Sequence, residues 1–584
     1  MNRQSRALLV LVLVGGLLAW GWWAGRTGAP GTTRRETVAA ERPVRGGRIV
    51  SSVRAEPRSF NRLVSRDLVS EVVAVLTQAR LVRVNRATQE VEPWLAERWT
   101  TSADGRSFTL TLRPGLTWSD GQPFTSADVA FTIRAAQDLL AKGLLVVSLT
   151  VDGEPVAVET PDPATVIVTL PRAFGPGIRL LDNLWILPRH RLEAALTAGT
   201  FAQAWPVTTP PAELAGMGPF RLVAYEPGQR LTFERNPNYW RRDEAGVALP
   251  YLDGVVLEIV PDQSAELVRL RSGALDLTQN PLRAEDYATA RDLEEKGILA
   301  VHEVGVGLNP DVFFFNLRPA HWAKDPRASW MFTDKFRQAI SHAVDREAYA
   351  NTVFLGAAVP IHGPVSPGNK AWFWPDLPRY RFDRDASQQL LQELGLDNRD
   401  ADAWLEDRSG VEARFTVLTY RGNTSLERGS QVLKESLERV GLAVDVVPLE
   451  PGALIERMLS GAFDAIFFNY LATDTDPAMQ RDFWLSSGSA HIWNIGQKTP
   501  ATAWERRIDE LMTQQAASTD PAERTRLFRE TLRVFSEHLP ALYFAAPRVY
   551  VAVNARLRNL VPSLTPPPLL WSADTLAVAP AAGQ

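Results

Sequence analysis

Phe108, Leu110 and Leu112 alternate with polar residues, the period-two pattern of a half-buried strand. Ser119-Asp120-Gly121 then reads as a tight turn, and Thr125 with Asp128 as a capping box that opens a helix. Residues 216–240 predict a hairpin whose strands flank Glu226-Pro227-Gly228-Gln229 and whose exit is the Asn236-Pro237 turn. Residues 251–276 predict a strand, a helix and a glycine-terminated return into a strand. Over 336–346, Phe336, Ile340, Ala343 and Val344 share one helical face beneath a Thr333 cap.

One of these patterns occurs twice. The run RLRSGALD at 269–276 is echoed by RMLSGAFD at 457–464. In both, a helix ends at a glycine able to take the left-handed conformation and the chain turns directly into a strand. The echo is either the general form of any helix-to-strand connection or the mark of two α/β lobes of similar construction.

Composition narrows the class. A chain of 584 residues with 45% hydrophobic content buries a large core and divides into several domains. The net charge is only −4 and basic residues do not cluster with aromatics, so nucleic acid is not an expected partner. Eighteen tryptophans exceed what a core requires, and a cleft that buries an organic ligand would use some of them.

The N-terminus bears on the compartment. Arg3 and Arg6 precede an uncharged run over 7–24, which at about 1.5 Å per residue spans roughly 27 Å, enough to cross a bilayer core. Trp20, Trp22 and Trp23 stand at its far end, where interfacial aromatics belong. Residues 1–25 therefore read as an uncleaved signal anchor, with a cleaved signal peptide as the rival, and residues 26–45 as a flexible linker. Cysteine is absent, which removes disulfides and any acylated cysteine; the apolar segment would tether the body outside the cytoplasmic membrane.

The four motifs, in this order, resemble those of the extracellular solute-binding proteins of family 5, the oligopeptide- and dipeptide-binding components of ABC importers. The resemblance runs from about Gly46 to the C-terminus. It implies an α/β, class II periplasmic-binding-protein fold, with two hinged α/β lobes and an extra family-specific domain. The implied boundaries are 46–85, 184–305 and 545–584 for lobe I, 86–183 for the extra domain II, and 306–544 for lobe III. The strand-like run over 542–553 would carry the chain back to lobe I. It also implies a monomer that captures a peptide or other small organic solute by hinge closure and hands it to permease subunits, with no cofactor and no metal.

Peptide binders of this family fix the ligand's α-amino group with an aspartate near the end of a lobe III strand. A buried ammonium needs such a carboxylate. The matching stretch here is 467–477, where the family position falls on Thr473 and Asp474 lies one residue away. That departure leaves open a ligand without an amino terminus, such as an oligosaccharide or an opine-like conjugate. The resemblance places Asn469, Tyr470, Trp493 and Asn494 along the cleft, and Phe315 and Asn316 at its floor. Ser65, within Val64-Ser65-Arg66, would offer backbone for β-augmentation.

An enzyme is the rival class. No P-loop, H-E-x-x-H or G-x-S-x-G motif occurs, and the seven histidines are isolated from one another. Asp474 and Asp476 form a carboxylate pair of the kind glycoside hydrolysis needs, but acids beside proline are more often turn formers. A membrane-anchored ligand sensor with the same fold is the other alternative.

Overall fold

The computed structural model describes residues 45–65, 67–143, 149–400, 402–470 and 474–579. The expected anchor, most of the linker and Thr473 lie outside the described residues. Among the described residues no helix is long and apolar enough to cross a membrane.

Two large sheets carry the body. The first runs, in spatial order, Phe220–Glu226, Arg230–Arg235, Gly254–Ile259, Arg48–Val53, Leu277–Thr278, Ala545–Asn554 and Leu299–Val306, with Ala358–Pro360 added alongside Ala545–Asn554. Arg48–Val53 lies parallel to both of its neighbours. The second runs Ala443–Leu449, Arg414–Tyr420, Ala465–Asn469, Asp311–Phe315 and Ala541–Tyr543. Its middle strand, Ala465–Asn469, is buried at four of five positions, as a strand covered by helices on both faces should be.

A smaller antiparallel sheet is built from Ala96–Thr101, Ser107–Leu112, Thr165–Thr169 and Ala157–Asp162. Ser107–Leu112 alternates as the sequence predicts, with Phe108, Leu110 and Leu112 inward. The helix Ser126–Ala141 packs on this sheet, opened by the predicted capping box, in which Asp128 accepts the Thr125 backbone N–H at 3.0 Å. Asp128 also accepts the Arg189 backbone N–H at 3.0 Å, so the cap ties two distant segments together. The small sheet shares one hydrophobic core with the first large sheet, whereas the second large sheet has its own.

The predicted hairpin forms as Phe220–Glu226 paired with Arg230–Arg235. It is seated by backbone contact. A Cβ placed on Gly216 would lie 1.8 Å from the Thr77 carbonyl oxygen, and the Gly218 N–H donates to that oxygen at 3.0 Å. Only glycine admits this approach at the end of the helix Leu68–Thr77. The predicted Thr333 cap also forms: its hydroxyl accepts the Phe336 N–H at 3.2 Å at the start of Asp334–Ala343, and Phe336, Ile340 and Ala343 are buried.

The repeated run is a repeated structure. Gly273 and Gly461 have φ of +74° and +70°. After each, the aspartate precedes a strand that pairs in parallel with a neighbour, Leu277 with Ser51 and Ala465 with Val417. The Asp276 carboxylate accepts the Val50 N–H at 2.8 Å, and the Asp464 carboxylate accepts the Thr416 N–H at 3.1 Å. Each also holds an arginine from elsewhere in its lobe, Arg556 at 2.6 Å and Arg327 at 2.9 Å. The two lobes are thus built on the same helix-to-strand unit.

Two short backbone crossings run directly from strand to strand between the large sheets; the chain also passes between them on its way into and out of Ala358–Pro360. Going out, residues 307–310 join Leu299–Val306 to Asp311–Phe315; coming back, Phe544 alone separates Ala541–Tyr543 from Ala545–Asn554. Arg346 pins the return crossing. Buried without a carboxylate, it donates to the carbonyls of Tyr543 at 3.0 Å, Ile361 at 3.2 Å and Ser341 at 3.0 Å, and burial lowers its pKa to about 10.

Candidate functional site

Beside the crossings lies an open cavity of about 590 Å³, counting the solvent in its mouth. Its walls come from the outward crossing (Leu308, Pro310), from residues 364–372 and from the end of the strand Ala465–Asn469. Helical segments at 477–484 and Phe528 complete it. The lining is largely apolar and aromatic. Trp372 and Trp484 each meet Phe528 edge-on, with centroids 5.5 and 5.3 Å apart. Tyr470 and Phe483 are 5.1 Å apart. Burial, with Asp482 nearby, pushes the Tyr470 hydroxyl up to about 12, so it stays protonated as a donor.

Asp474 is the one charged side chain among the described lining residues. It is already paired. Arg179, from the segment 177–183, donates through Nε to Asp474 Oδ1 at 2.7 Å. The same guanidinium donates to Thr475 Oγ1 at 2.8 Å and to the Gln89 carbonyl at 3.1 Å. Burial pushes the Asp474 carboxyl above its ordinary value and the Arg179 charge draws it back. The Asp476 N–H adds a further donor to Asp474 Oδ1 at 2.9 Å.

Further bonds cross the same junction. Gln89 Nε2 donates to the Gly368 carbonyl at 2.9 Å, and the Gly175 N–H donates to the Ala516 carbonyl at 2.6 Å. Behind the wall, Arg524 grips Asp476 with both ends of its fork, at 2.9 and 2.6 Å. Asn369 Nδ2 donates to the Thr475 carbonyl at 2.7 Å, while its Oδ1 is buried and has no hydrogen-bond partner among the described residues.

Of the residues expected at a cleft, Tyr470 and Asp474 line this cavity. Asn469 stands beside it in a different role: its amide donates to the Asn309 carbonyl at 2.7 Å and lies 3.4 Å from Asp311 Oδ1, bracing the outward crossing. Phe315 and Asn316 sit at the other end of their strand. Phe315 packs against Phe336, and Asn316 Nδ2 donates to the carbonyls of Gly461 and Phe463 at 2.9 and 2.7 Å. Trp493 is wholly buried in the second lobe's core, with Phe314 stacked 6.4 Å away, and buried Asn494 bonds Gln497 at 2.8 Å. These four face the protein interior because their rings and amides find partners there.

Ser65 is buried, its hydroxyl bonded to Asp67 and its carbonyl taken by Arg62. Sequence reasoning missed Arg179, Asn369 and Arg524, which carry no local signal. Trp372 had one, the aromatic run at 372–374 ahead of a proline. Among the described residues one acidic triad, Asp400, Asp402 and Glu406, has carboxylate oxygens within 4.8 Å of one another. Glu406 there accepts the Arg399 N–H at 2.8 Å, so a bond of the chain already uses it.

Comparison with known proteins places this geometry. Residues 90–491 match the family model of bacterial extracellular solute-binding proteins, family 5. The "Probable ABC transporter-binding protein" of Deinococcus radiodurans is 28% identical over 83% of this chain and 84% of its own length. "Oligopeptide-binding protein AppA" of Bacillus subtilis is 26% identical, covering 96% of both chains. The crystal structure of the ABC transporter substrate-binding protein CtaP from Listeria monocytogenes superposes with a TM-score of 0.73 at 22% identity, over 91% of this chain and 99% of that one. With two large α/β sheets joined by paired crossings, a smaller sheet on the first and a cavity beside the junction, the chain belongs to the bacterial extracellular solute-binding proteins of family 5.

Proposed function

We propose that this protein is the extracytoplasmic ligand-capturing component of an ABC importer, holding a peptide-like solute between its lobes and presenting it to permease subunits. It carries the solute without transforming it, works as a monomer, and is tethered outside the cytoplasmic membrane by its N-terminal segment. What supports this reading is the family match over residues 90–491, together with a cavity in the second lobe, beside the two crossings, where Arg179 reaches across from the other side of the junction to Asp474. Similarity to an oligopeptide-binding protein favours peptides. In this reading Tyr470 and Asp474 belong to the ligand wall.

One observation favours a second reading within the same function. Asp474 has a cation of the chain itself at 2.7 Å, so a solute without an ammonium group, such as an oligosaccharide or an opine-like conjugate, fits as well. Native mass spectrometry of the purified protein tests both. Retained peptides support the first reading and retained uncharged non-peptide solutes the second. A protein that retains nothing, and binds no member of peptide or oligosaccharide libraries, would end both.

A further inference from the structure

The chemistry of the cavity wall narrows what enters it, given the reading above that this cavity seats the solute. Its only charge among the described lining residues is already paired, because Arg179 Nε meets Asp474 Oδ1 at 2.7 Å and both side chains are largely shielded from solvent. An arriving ammonium would have to displace, or crowd against, a guanidinium that also holds Thr475 and Gln89. A buried pair with satisfied secondary bonds resists that exchange, since the released arginine would lose three partners at once.

What the wall leaves unspent is neutral. Asn369 is 8% exposed and lines the cavity; its Nδ2 is committed to the Thr475 carbonyl, and its Oδ1 is a buried acceptor with no donor among the described residues. The rings of Trp372, Phe528 and Trp484 stand nearby in edge-to-face contact, a surface suited to another flat ring. We propose that the cavity takes an uncharged aromatic group bearing an N–H or O–H donor, with the donor on Asn369 Oδ1 and the ring among Trp372, Phe528 and Trp484, and that it rejects an ammonium. In a peptide this group would be a side chain; in another solute it would be a neutral ring substituent.

Three probes of one shape test this on the intact protein by calorimetric titration: indole, with a ring donor; benzofuran, the same bicycle without it; and tryptamine, an indole carrying an ammonium. Indole is expected to bind about tenfold more tightly than benzofuran and than tryptamine. Asn369→Leu should erase the advantage of indole over benzofuran. Arg179→Met should free Asp474 and raise tryptamine affinity about tenfold, and adding Asp474→Asn should remove that gain. The ligand comparison in the unaltered chain does not depend on any variant folding.

Tryptamine binding as tightly as indole would overturn the inference, as would benzofuran matching indole. If none of the three binds while native mass spectrometry finds a retained solute of another chemistry, the inference falls and the solute-binding function stands. If nothing binds and nothing is retained, both fall.

Discussion

Asp276 and Asp464 stand at equivalent points of two lobes, each one residue before a strand and each accepting a backbone N–H from the parallel neighbour, at 2.8 Å from Val50 and 3.1 Å from Thr416. Replacing either with alanine removes a buried carboxylate that also holds an arginine, so each single variant is expected to lose about 3 kcal/mol of stability in chemical denaturation. Burial pushes the Asp464 carboxyl up, but His321, Arg327 and the Thr416 N–H together hold it below its ordinary value. Its stabilising contribution is therefore complete above pH 3.8 and lost as pH falls through the folded value. An Asp464→Ala variant with unaltered acid sensitivity would refute that assignment.

Gly216 and Gly273 should respond differently to alanine. At Gly273 the cost comes only from the left-handed backbone, because no atom lies within 4 Å of an added Cβ; about 1 kcal/mol is expected. At Gly216 a Cβ would sit 1.8 Å from the Thr77 carbonyl, and backbone must move. Loss of more than about 3 kcal/mol, or failure to fold, is expected there. Equal thermal stability of the two variants would show that the helix end and the hairpin do not pack as described.

Asp476 and Arg524 form a double-mutant cycle behind the cavity wall. Asp476→Ala or Arg524→Met alone leaves a buried charge unpaired and should cost about 3 to 5 kcal/mol. The double variant should lose less than the sum, with a coupling of about 2 kcal/mol in urea denaturation. Strict additivity would mean the pair contributes nothing beyond its separate contacts.

Asp311 makes stability fall toward neutral pH. Burial raises its carboxyl to about 7, only partly opposed by Asn469, and its Oδ2 has no hydrogen-bond partner. Between pH 3.8 and about 7 the folded protein keeps a proton that the unfolded chain has released, so stability declines as pH rises through that window. Asp311→Asn should then gain roughly 2 to 4 kcal/mol at pH 8 and little at pH 4. Denaturation curves that show the same difference at both values would contradict this.

Signals that act over a few residues were legible in the sequence. The alternation at Phe108, Leu110 and Leu112, the Thr125 and Thr333 caps and the hairpin around Gly228 each depend on neighbours within one turn or one strand. The duplicated helix-to-strand unit was legible too, because a left-handed glycine leaves its mark locally. The site was not. Asp474 stands out as an acid beside a loop, but its meaning depends on Arg179, 295 positions earlier, and no local pattern announces that pairing. Trp493 shows the converse: an aromatic residue in the expected place is drawn into the core once Phe314, Phe483 and Phe535 are packed around it.

The return crossing at Phe544 fixes how the halves can move. A single residue between two hydrogen-bonded strands leaves only one pair of backbone torsions free, and the outward path offers the few more of residues 307–310. These two shortest links define an axle, which the chain passes again on its way into and out of Ala358–Pro360. Rotation about the line through them is the soft coordinate, while sliding one sheet past the other would stretch strand ladders on both sides. Ala358–Pro360, paired with Ala545–Asn554 and anchored where the Ile361 N–H meets the Phe544 carbonyl at 3.1 Å, lies along that axle as a splint. Rotation about this axle is thus the motion that the two short links themselves oppose least, and whatever occupies the cavity beside them acts on it with a short lever arm.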